Sequence, residues 1–170
     1  MVNLQKHTKH VVKEQVKQQF LTFRIAHEHY GLELSQTREI IEYGGITEVP
    51  LMPSFLRGVI NLRGDVVPVI DLAIRLGRKP IEIQKRTCII VVELDTSEQH
   101  HVLGLLVDAV SEVIEIEESN IEDAPSFGAN IRAEFILGIA KQSDEFVVLL
   151  DANNALSIRE LAHLVEAELQ

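Results

Sequence analysis

Short apolar runs separated by turn residues dominate the chain from residue 20 onward. They are the runs FLTFRIA, GVINL, DVVPVIDL, TCIIVVEL, HVLGLLVD, VSEVIEI, FILGIA and FVVLL. Most have the length of a strand and are bounded by Gly, Asp, Ser or charged residues, which favours strands over helices. The stretch TREIIEYGG fits either a strand or a helical turn. Many short strands at hairpin spacing predict an all-β barrel architecture, and no internal repeat is apparent.

The stretch GVINLRGDVVPVIDL, from Gly58 to Leu72, predicts a hairpin with Arg63 and Gly64 at its tip. Gly64 supplies the positive φ that such a tight turn needs. Pro68 has no N–H to donate to a ladder, so its strand is expected at a sheet edge or a bulge. The Arg63 guanidinium would then stand at the tip of an apolar hairpin, where its rigid fork of donors suits the carboxylates or carbonyls of a partner.

Two helices are predicted, a short one that follows the Arg63 hairpin and a longer one at the carboxyl end. Asp71 is the expected N-cap of the short helix LAIRLG, which Gly77 closes. Ser157 and Glu160 form a capping box for SIRELAHLVEAELQ, whose apolar residues make one stripe. Residues 1–19 are polar and lysine-rich, so we expect a tail or a frayed helix there.

Composition narrows the classes of partner. The chain has 170 residues, of which 46% are hydrophobic, which suits one domain or two small lobes with a shared core. Its formal net charge of -10 disfavours nucleic acid and anionic lipid as partners. Aromatic residues make up 5% and tryptophan is absent, which argues against an oligonucleotide-binding barrel. The sequence shows neither a signal peptide nor a membrane-spanning run, so a cytoplasmic protein without membrane insertion is expected.

The sequence contains no catalytic signature. The Walker glycine loop, G-x-G-x-x-G, G-x-S-x-G and H-E-x-x-H are all missing, so we expect no enzymatic activity and no cofactor. Cys88 lies within TCIIVVEL, where a small buried hydrophobe is the expected role. His27 and His29 would share one face of a strand and could hold a metal there, but solvated histidines at a turn are the favoured interpretation. A metal-binding or small-ligand-binding barrel is therefore an alternative, although the inward strand positions are aliphatic, and no metal is expected.

Charge is unevenly distributed along the chain. Arginines and lysines give the central third a basic balance, whereas SEVIEIEESNIED is strongly acidic. Faces of opposite sign, without a catalytic constellation, are what an adaptor that binds two proteins would need.

The stretch FLRGVINLRGDVVPVIDLAIRLG resembles the signature of the CheW family, the coupling proteins of bacterial chemotaxis. Matching segments follow the family's order: YGLELSQTREII, VLGLLVDAVSEVIEI, FILGIAK and FVVLLDANNALS. The resemblance implies two small five-stranded SH3-like β-barrels packed through a shared apolar core, with short helices and a C-terminal α-helix. It places a CheW-like domain over residues 20–165, with residues 166–170 ending that helix.

The resemblance also implies a function. The family are non-enzymatic scaffolds that couple the cytoplasmic tips of methyl-accepting chemoreceptors to the histidine kinase CheA, so recruitment to membrane receptor arrays is expected. The same fold occurs as the regulatory domain of CheA and, joined to a receiver domain, in CheV. A receiver alone would add about 120 residues, so we expect a standalone coupling protein. An adaptor of a related CheA-type pathway, such as surface motility, is the alternative.

Site residues follow from the resemblance position by position. The residues matching the receptor contact are Arg63, Gly104 and Val110. The residues matching the contact with the kinase regulatory domain are Thr37, Glu39, Ile40 and Gly58. Position 37 often carries an aliphatic residue in the family, so threonine is a departure. Gly58 has a second interpretation as a glycine needed for close strand packing, and Ile40 as plain core; Gly64 is assigned to the turn alone.

Overall fold

The all-β prediction is confirmed. The structure is a computed structural model, and it describes residues 16–95, 100–124 and 133–157. Its strands are β1 (Lys17–Ile25), β2 (Glu28–Glu33), β3 (Thr37–Glu42), β4 (Leu56–Leu62), β5 (Asp65–Asp71), β6 (Cys88–Asp95), β7 (His100–Val107), β8 (Ala109–Glu117), β9 (Ile121–Glu122), β10 (Ile136–Gln142) and β11 (Glu145–Leu150). Its helices are α1 (Leu72–Arg75) and α2 (Ala152–Ala155), and 3-10 turns lie at Leu34–Gln36, Glu118–Asn120 and Ala133–Phe135.

The strands form two sheets, and the strands of one are inserted in the chain between those of the other. One has six strands in the order β8-β1-β2-β11-β10-β9, and the other has five in the order β3-β6-β7-β5-β4. The sixth strand of the first sheet is the two-residue β9, which pairs with β10. Parallel pairing joins β2 to β11 and β5 to β7. The first sheet therefore contains strands from both ends of the chain, and the second contains the strands between them.

The two sheets share a repeated unit, so the expectation of no internal repeat is wrong. The hairpin β4-β5 followed by α1 recurs as β10-β11 followed by α2. The equivalent pairs are Phe55 with Phe135, Gly58 with Gly138, and Asp71 with Asp151. In each copy the aspartate N–H donates to the phenylalanine carbonyl, at 2.7 and 2.8 Å, and the aspartate side chain caps the helix. The two copies share their backbone geometry and a few key residues, which a search for sequence similarity overlooks.

One apolar core joins the two sheets. The larger cluster takes side chains from both sheets, and the smaller one lies within the six-stranded sheet around Phe20. Phe23 and Tyr30 stack with their ring centroids 5.9 Å apart. Arg75 links the two copies of the repeat, because its Nε donates to the Ala155 carbonyl at 2.7 Å and its guanidinium lies 4.6 Å from the Phe135 ring centroid. The surfaces of the two sheets are therefore held in a fixed relation.

Most local predictions hold, and a few shift. The hairpin tip is confirmed: Leu62 pairs with Asp65, which leaves Arg63 and Gly64 as a two-residue turn. The Asp71 cap of α1 is also confirmed, because its Oδ1 accepts from the Ile74 N–H. The ambiguous stretch TREIIE is strand β3. The turn after β1 lies at Ala26–His27, so of the two histidines predicted at a turn only His27 lies there, and His29 lies in β2.

Three further predictions concern the strand that contains Pro68, the N-terminal tail and the C-terminal helix. The strand β5 lies between β4 and β7, so as a whole it is not an edge strand. Pro68 itself lies just before the pairing with β7 starts, where β5 pairs with β4 alone, and the β4-β5 ladder has a register irregularity nearby, between Leu56 and Gly58. The expectation of an edge or a bulge therefore holds locally at Pro68. Strand β1 begins at Lys17, so the last residues of the predicted tail are strand. Residues 1–15 lie outside the described residues, as do Glu160 and the rest of the predicted C-terminal helix.

Candidate functional site

Arg63 and Glu39 bind each other, although the resemblance assigns them to different partners. Arg63 Nη1 donates to Glu39 Oε1 at 2.7 Å, and Nη2 donates to Oε1 at 2.8 Å and to Oε2 at 3.0 Å. Glu39 lies on β3, and Arg63 lies at the tip between β4 and β5. Since β3 and β4 are the two ends of the five-stranded sheet, this ion pair bridges them. One residue of the predicted receptor contact and one of the predicted kinase contact therefore lie side by side.

The Arg63 side chain is presented by a strained turn. Its φ is 50° and that of Gly64 is 91°, which is the type I′ pattern that matches the twist of a hairpin. The Gly64 N–H is held by Asn61 Oδ1 at 2.8 Å. A left-handed conformation costs a residue other than glycine about 1–2 kcal/mol. The arginine side chain is 63% exposed, so burial does not explain its presence at this position, whereas a partner contact would.

Strand β3 presents an exposed apolar side chain next to the ion pair. Its exposure alternates, so Thr37, Glu39 and Ile41 are half-buried while Arg38, Ile40 and Glu42 are exposed. Ile40 is 44% exposed, and its interpretation as plain core is therefore wrong. Thr37 keeps its hydroxyl near the Glu33 carbonyl, at 3.4 Å. The outward face of β3 offers a partner one large apolar residue between charged ones.

A shallow groove lies directly beside Arg63. It has a volume of about 280 Å³ and is lined by Arg38, Leu62, Arg63, Asp65, Val66, Val67 and Val102. Val66 is 73% exposed, although it follows the turn in an otherwise apolar strand. Sequence analysis did not select Val66, because a valine in an apolar strand reads as core. The signal that could have found it is the period of two: Val67 and Val69 face inward, so Val66 must face outward.

Gly104 and Val110 lie away from that groove. Gly104 is buried in β7 between Val69 and Val91, and an added Cβ would lie 2.9 Å from Ile89 Cγ2 and 3.3 Å from Val69 Cγ2. Val110 pairs with Phe23 and packs half-buried against the core. Neither residue lines the space beside Arg63. Their assignment to a receptor contact stays a prediction, and their described surroundings are those of packing residues.

Gly58 has a packing reason to be glycine. Its φ is 148°, and a Cβ there would overlap the Thr47 carbonyl oxygen and lie 2.5 Å from Ile46 Cγ2. The backbone at Thr47 approaches closely because Thr47 and Val59 exchange hydrogen bonds at 2.9 Å. The glycine therefore lets residues 46 and 47 lie against β4, on which the Arg63 turn stands.

Gly58→Ala should lower the free energy of unfolding by at least about 2 kcal/mol, because it adds both backbone strain and overlap. Urea denaturation measures the change. Gly44→Ala is the matched control, since a Cβ at Gly44 meets no atom within 4 Å. If Gly58→Ala keeps wild-type stability yet loses kinase binding, Gly58 contacts the kinase directly and the packing argument fails.

Metal and thiol chemistry find little support in the described ranges. His27 lies in the turn, and His29 Nε2 lies 2.8 Å from Glu145 Oε2. Within residues 16–95, 100–124 and 133–157, no three His, Cys, Asp or Glu side chains are grouped to hold a metal ion. Burial raises the pKa of the half-buried Cys88 thiol, which favours the unreactive protonated form. Among the described helices, none is long and apolar enough to span a bilayer.

Comparison with known proteins identifies the class and then the family. The fold matches the crystal structure of the scaffolding protein TtCheW from Thermoanaerobacter tengcongensis, with a TM-score of 0.72 and 37% identity over 82% of this chain and 87% of that one. The two sheets are thus a pair of SH3-like barrels, as predicted. Residues 19–160 match the family model of the CheW-like domain. The chain belongs to the CheW family.

Sequence relatives support the same family. The chain is 32% identical to the chemotaxis protein CheW of Klebsiella aerogenes over 88% of this chain and 87% of the relative. It is 34% identical to the chemotaxis protein CheW of Bacillus subtilis over 82% and 86%. It is also 30% identical to Protein FrzA of Myxococcus xanthus over 82% and 86%.

Proposed function

We propose that this protein is a scaffold that couples the cytoplasmic tips of methyl-accepting chemoreceptors to the regulatory domain of the histidine kinase CheA. Family membership supports the coupling role, and the observation that carries the assignment to this surface is the ion pair between Arg63 and Glu39. The proposal assigns the protein no catalytic step, no cofactor and no metal. It places the protein in the cytoplasm, recruited to membrane receptor arrays through its partners.

The receptor contact is centred on Arg63 and Val66. A receptor tip is a helical hairpin, and a helix with an apolar face flanked by carboxylates or free carbonyls would place its apolar side chains against Val66 and its acceptors at the guanidinium. Arg63 Nε makes no hydrogen bond to Glu39, so a donor remains for a partner. An exposed ion pair is worth about 0–1 kcal/mol, so a receptor group can replace Glu39 at low cost.

The kinase contact is centred on β3. Glu39 and the exposed Ile40 supply one charge and one apolar anchor, and the end position of β3 leaves them accessible. Because Glu39 is also the Arg63 partner, a receptor group that takes over Arg63 changes the charge that the kinase meets. This shared ion pair gives the scaffold a direct route from receptor occupancy to the kinase contact.

A related CheA-type pathway, such as surface motility, is the second candidate, and the similarity to Protein FrzA favours it. The two candidates share the surface and differ in the partners. Purified protein is mixed with receptor-containing membranes and the kinase from the same source, and cosedimentation is measured. We expect the kinase to reach the membrane pellet only when the protein is present. Sedimentation of the kinase with membranes when this protein is absent would contradict the coupling role.

A gene deletion distinguishes the two candidate pathways. If the protein serves chemotaxis, the deletion should abolish swimming chemotaxis and leave surface motility intact.

Glu39→Arg should weaken binding to the isolated kinase regulatory domain at least about tenfold, because it reverses a charge at the contact and sets two guanidinium groups against each other. Titration calorimetry measures the affinity. Glu122→Arg is the matched control, since Glu122 is an exposed carboxylate on β9 of the other sheet. Equal affinities for wild type and Glu39→Arg would remove Glu39 from the kinase contact.

A further inference from the structure

A second and larger concavity lies away from the Arg63 groove. It has a volume of about 980 Å³ and forms where the β1-β2 turn, the start of β8 and the segment after α1 meet. Its charged lining residues are Arg24, Arg78, Lys79, Lys85, Arg86, Glu82 and Asp108, and His27 also lies there. Five cations and two carboxylates therefore line it, in a chain whose formal net charge is -10. We call this concavity the basic pocket.

Four of these cations lack a counter-ion within the part of the chain that the structure describes. They are Arg24, Lys79, Lys85 and Arg86. No described carboxylate lies within 4 Å of any of the four, whereas Arg57 and Arg63 elsewhere are each paired. All four are exposed. An anion from solvent can therefore reach positive charge that these residues leave unneutralised.

Local hydrogen bonds hold two of the unpaired cations side by side. The Gln84 N–H donates to Thr87 Oγ1 at 2.8 Å, and the Thr87 N–H donates to the Gln84 carbonyl at 3.2 Å. Lys85 and Arg86 are the two residues inside the turn that these bonds close. This wall of the pocket is therefore ordered before any ligand arrives, which lowers the entropy lost on binding.

A second wall is the β1-β2 turn, which has unusual backbone geometry. Ala26 and His27 have φ of 50° and 70°, although turns of this kind favour asparagine, aspartate or glycine at both positions. Asp108 Oδ2 accepts the Ala26 N–H at 2.8 Å, and the Asp108 N–H donates to the Arg24 carbonyl at 3.1 Å. Asp108 thus fastens the turn and does not pair with the Arg24 guanidinium. Strained backbone of this kind is concentrated at binding sites.

Arg78 is a fixed part of the wall with one donor unused. Its Nη2 donates to both Glu28 oxygens at 2.7 Å, so its charge is already matched. Its Nε is buried and finds no acceptor among the described residues. A buried N–H without an acceptor is uncommon in native proteins, and a bound water or ion is one of its ordinary explanations. This donor is a second sign, besides the unpaired charge, that the pocket holds a ligand.

Apolar residues make up much of the remaining lining. They are Ile25, Ala26, Ala73, Pro80, Ile81 and Ala109. Pockets that take small organic molecules have volumes of about 300–1,000 Å³, and the basic pocket lies within that range. A lining with a cationic part and an apolar part suits a ligand that has a compact, multiply charged anion and an organic body.

Charge and shape favour phosphate over carboxylate as that anion. Each phosphate group carries about 1–2 negative charges at neutral pH and several acceptor oxygens, so a diphosphate nearly balances four cations in a small volume. Guanidinium groups also bind phosphate oxygens in bidentate pairs. A carboxylate carries a single charge, so an acidic peptide would have to bring three or four side chains into one concavity.

We propose that the basic pocket binds the diphosphate group of a small organic molecule. Arg24 from β1 and Lys85 and Arg86 from the segment after α1 share the phosphate oxygens, and the organic body lies against the apolar part of the lining. The ligand binds reversibly and undergoes no chemical step. The pocket shares no lining residue with the groove beside Arg63 and none with β3, so it is separate from the proposed receptor and kinase contacts.

Titration calorimetry of the full chain with inorganic pyrophosphate and with ADP, both without magnesium, tests the proposal. Each probe should bind at a single site. Orthophosphate and adenosine lack the diphosphate group, so they should bind at least about tenfold more weakly. The affinity for pyrophosphate should fall between about 20 mM and about 500 mM NaCl, because salt screens charges in an open pocket. A rise in melting temperature with pyrophosphate is an independent readout.

Matched variants locate the site. Lys85→Gln with Arg86→Gln removes charge from one wall, and Arg24→Gln removes it from another. Each should weaken pyrophosphate binding at least about tenfold, because each removes charge-assisted hydrogen bonds to the ligand. Lys17→Gln with Lys141→Gln is the control, since it removes the same charge as the double variant from exposed residues outside the pocket. The control should bind like wild type, and melting temperatures check that every variant is folded.

Vesicles of phosphatidylglycerol and phosphatidylcholine in equal parts distinguish a soluble ligand from a lipid headgroup. We expect the chain to stay in the supernatant, because its net charge is negative and these cations lie in a concavity. Three outcomes would overturn the proposal. One is the absence of pyrophosphate and ADP binding at low salt, and another is binding that the pocket variants leave unchanged. The third is binding to the vesicles or to triglutamate that is as tight as binding to ADP, which would assign the pocket to a membrane or to an acidic peptide.

Discussion

Arg63→Glu is expected to lower the affinity for receptor-containing membranes at least about thirtyfold, because loss of a central interface arginine costs about 2 kcal/mol and charge reversal adds repulsion. The fold should survive. The exposed pair with Glu39 contributes at most about 1 kcal/mol, so the melting temperature should fall by no more than about 4 °C. Cosedimentation with receptor membranes and thermal unfolding measure the two effects.

A charge swap separates two roles that Arg63 could have. Arg63→Glu combined with Glu39→Arg keeps an ion pair between β3 and the hairpin tip, but it moves the guanidinium onto β3. If Arg63 contacts the receptor, the swap stays defective in cosedimentation. Recovery of binding by the swap would instead show that the ion pair itself, and not the arginine, is what the receptor requires. Gly64→Val is unsuitable as a test, because it strains a position with φ of 91° and would lower stability by itself.

Asp71→Asn should lower the free energy of unfolding by about 3 kcal/mol, since it removes the partner of a semi-buried arginine. Asp71 is fully buried, and its Oδ2 accepts from Arg57 Nη1 at 2.8 Å and from the Ile81 N–H at 3.0 Å. Arg57 Nη1 also donates to the Ile81 carbonyl at 3.1 Å, so the aspartate and the arginine together fasten the segment after α1. An asparagine amide would turn donors toward donors. Chemical denaturation measures the loss.

The repeat supplies the control for this experiment. Asp151 stands at the equivalent position, but its side chain accepts only from Asn154 among the described residues, through the backbone N–H at 3.2 Å and Nδ2 at 3.0 Å. Asparagine and aspartate are similar N-caps, so Asp151→Asn should cost well under about 1 kcal/mol. Equal losses for the two variants would mean that Asp71 acts only as a helix cap.

The local chemistry of the fold could be predicted because it depends on neighbouring residues. The turn at Arg63 and Gly64 and the cap at Asp71 each follow from a few adjacent letters. The position of β5 between β4 and β7 could not be predicted from Pro68, because strand order is a long-range property: the pairing of Val69 with Gly104 cannot be inferred from the residues around either one. The repeat was missed for a related reason, since it preserves turns, caps and glycines while other residues change.

The sequence predicted which residues belong to the candidate site but not how they are arranged in space. Resemblance selected Arg63 and Glu39 as parts of separate contacts, and only the closure of the barrel brings them within hydrogen-bond distance. Val66 was missed because its exposure can be judged only once the inward face of β5 is known.

The origin of the six-stranded sheet in two separate parts of the chain also constrains how the protein folds during its synthesis. The six-stranded sheet needs β1 and β2 from the beginning of the chain and β10 and β11 from near its end, and Tyr30 of β2 pairs with Val148 of β11. The parallel contact cannot form until most of the protein has left the ribosome, so β2 waits with one side unpaired. Such non-local pairing slows folding and leaves an open strand edge meanwhile. The five-stranded sheet comes from the contiguous residues 37–107, but its core is shared with the six-stranded sheet, so we expect both barrels to unfold in a single cooperative transition.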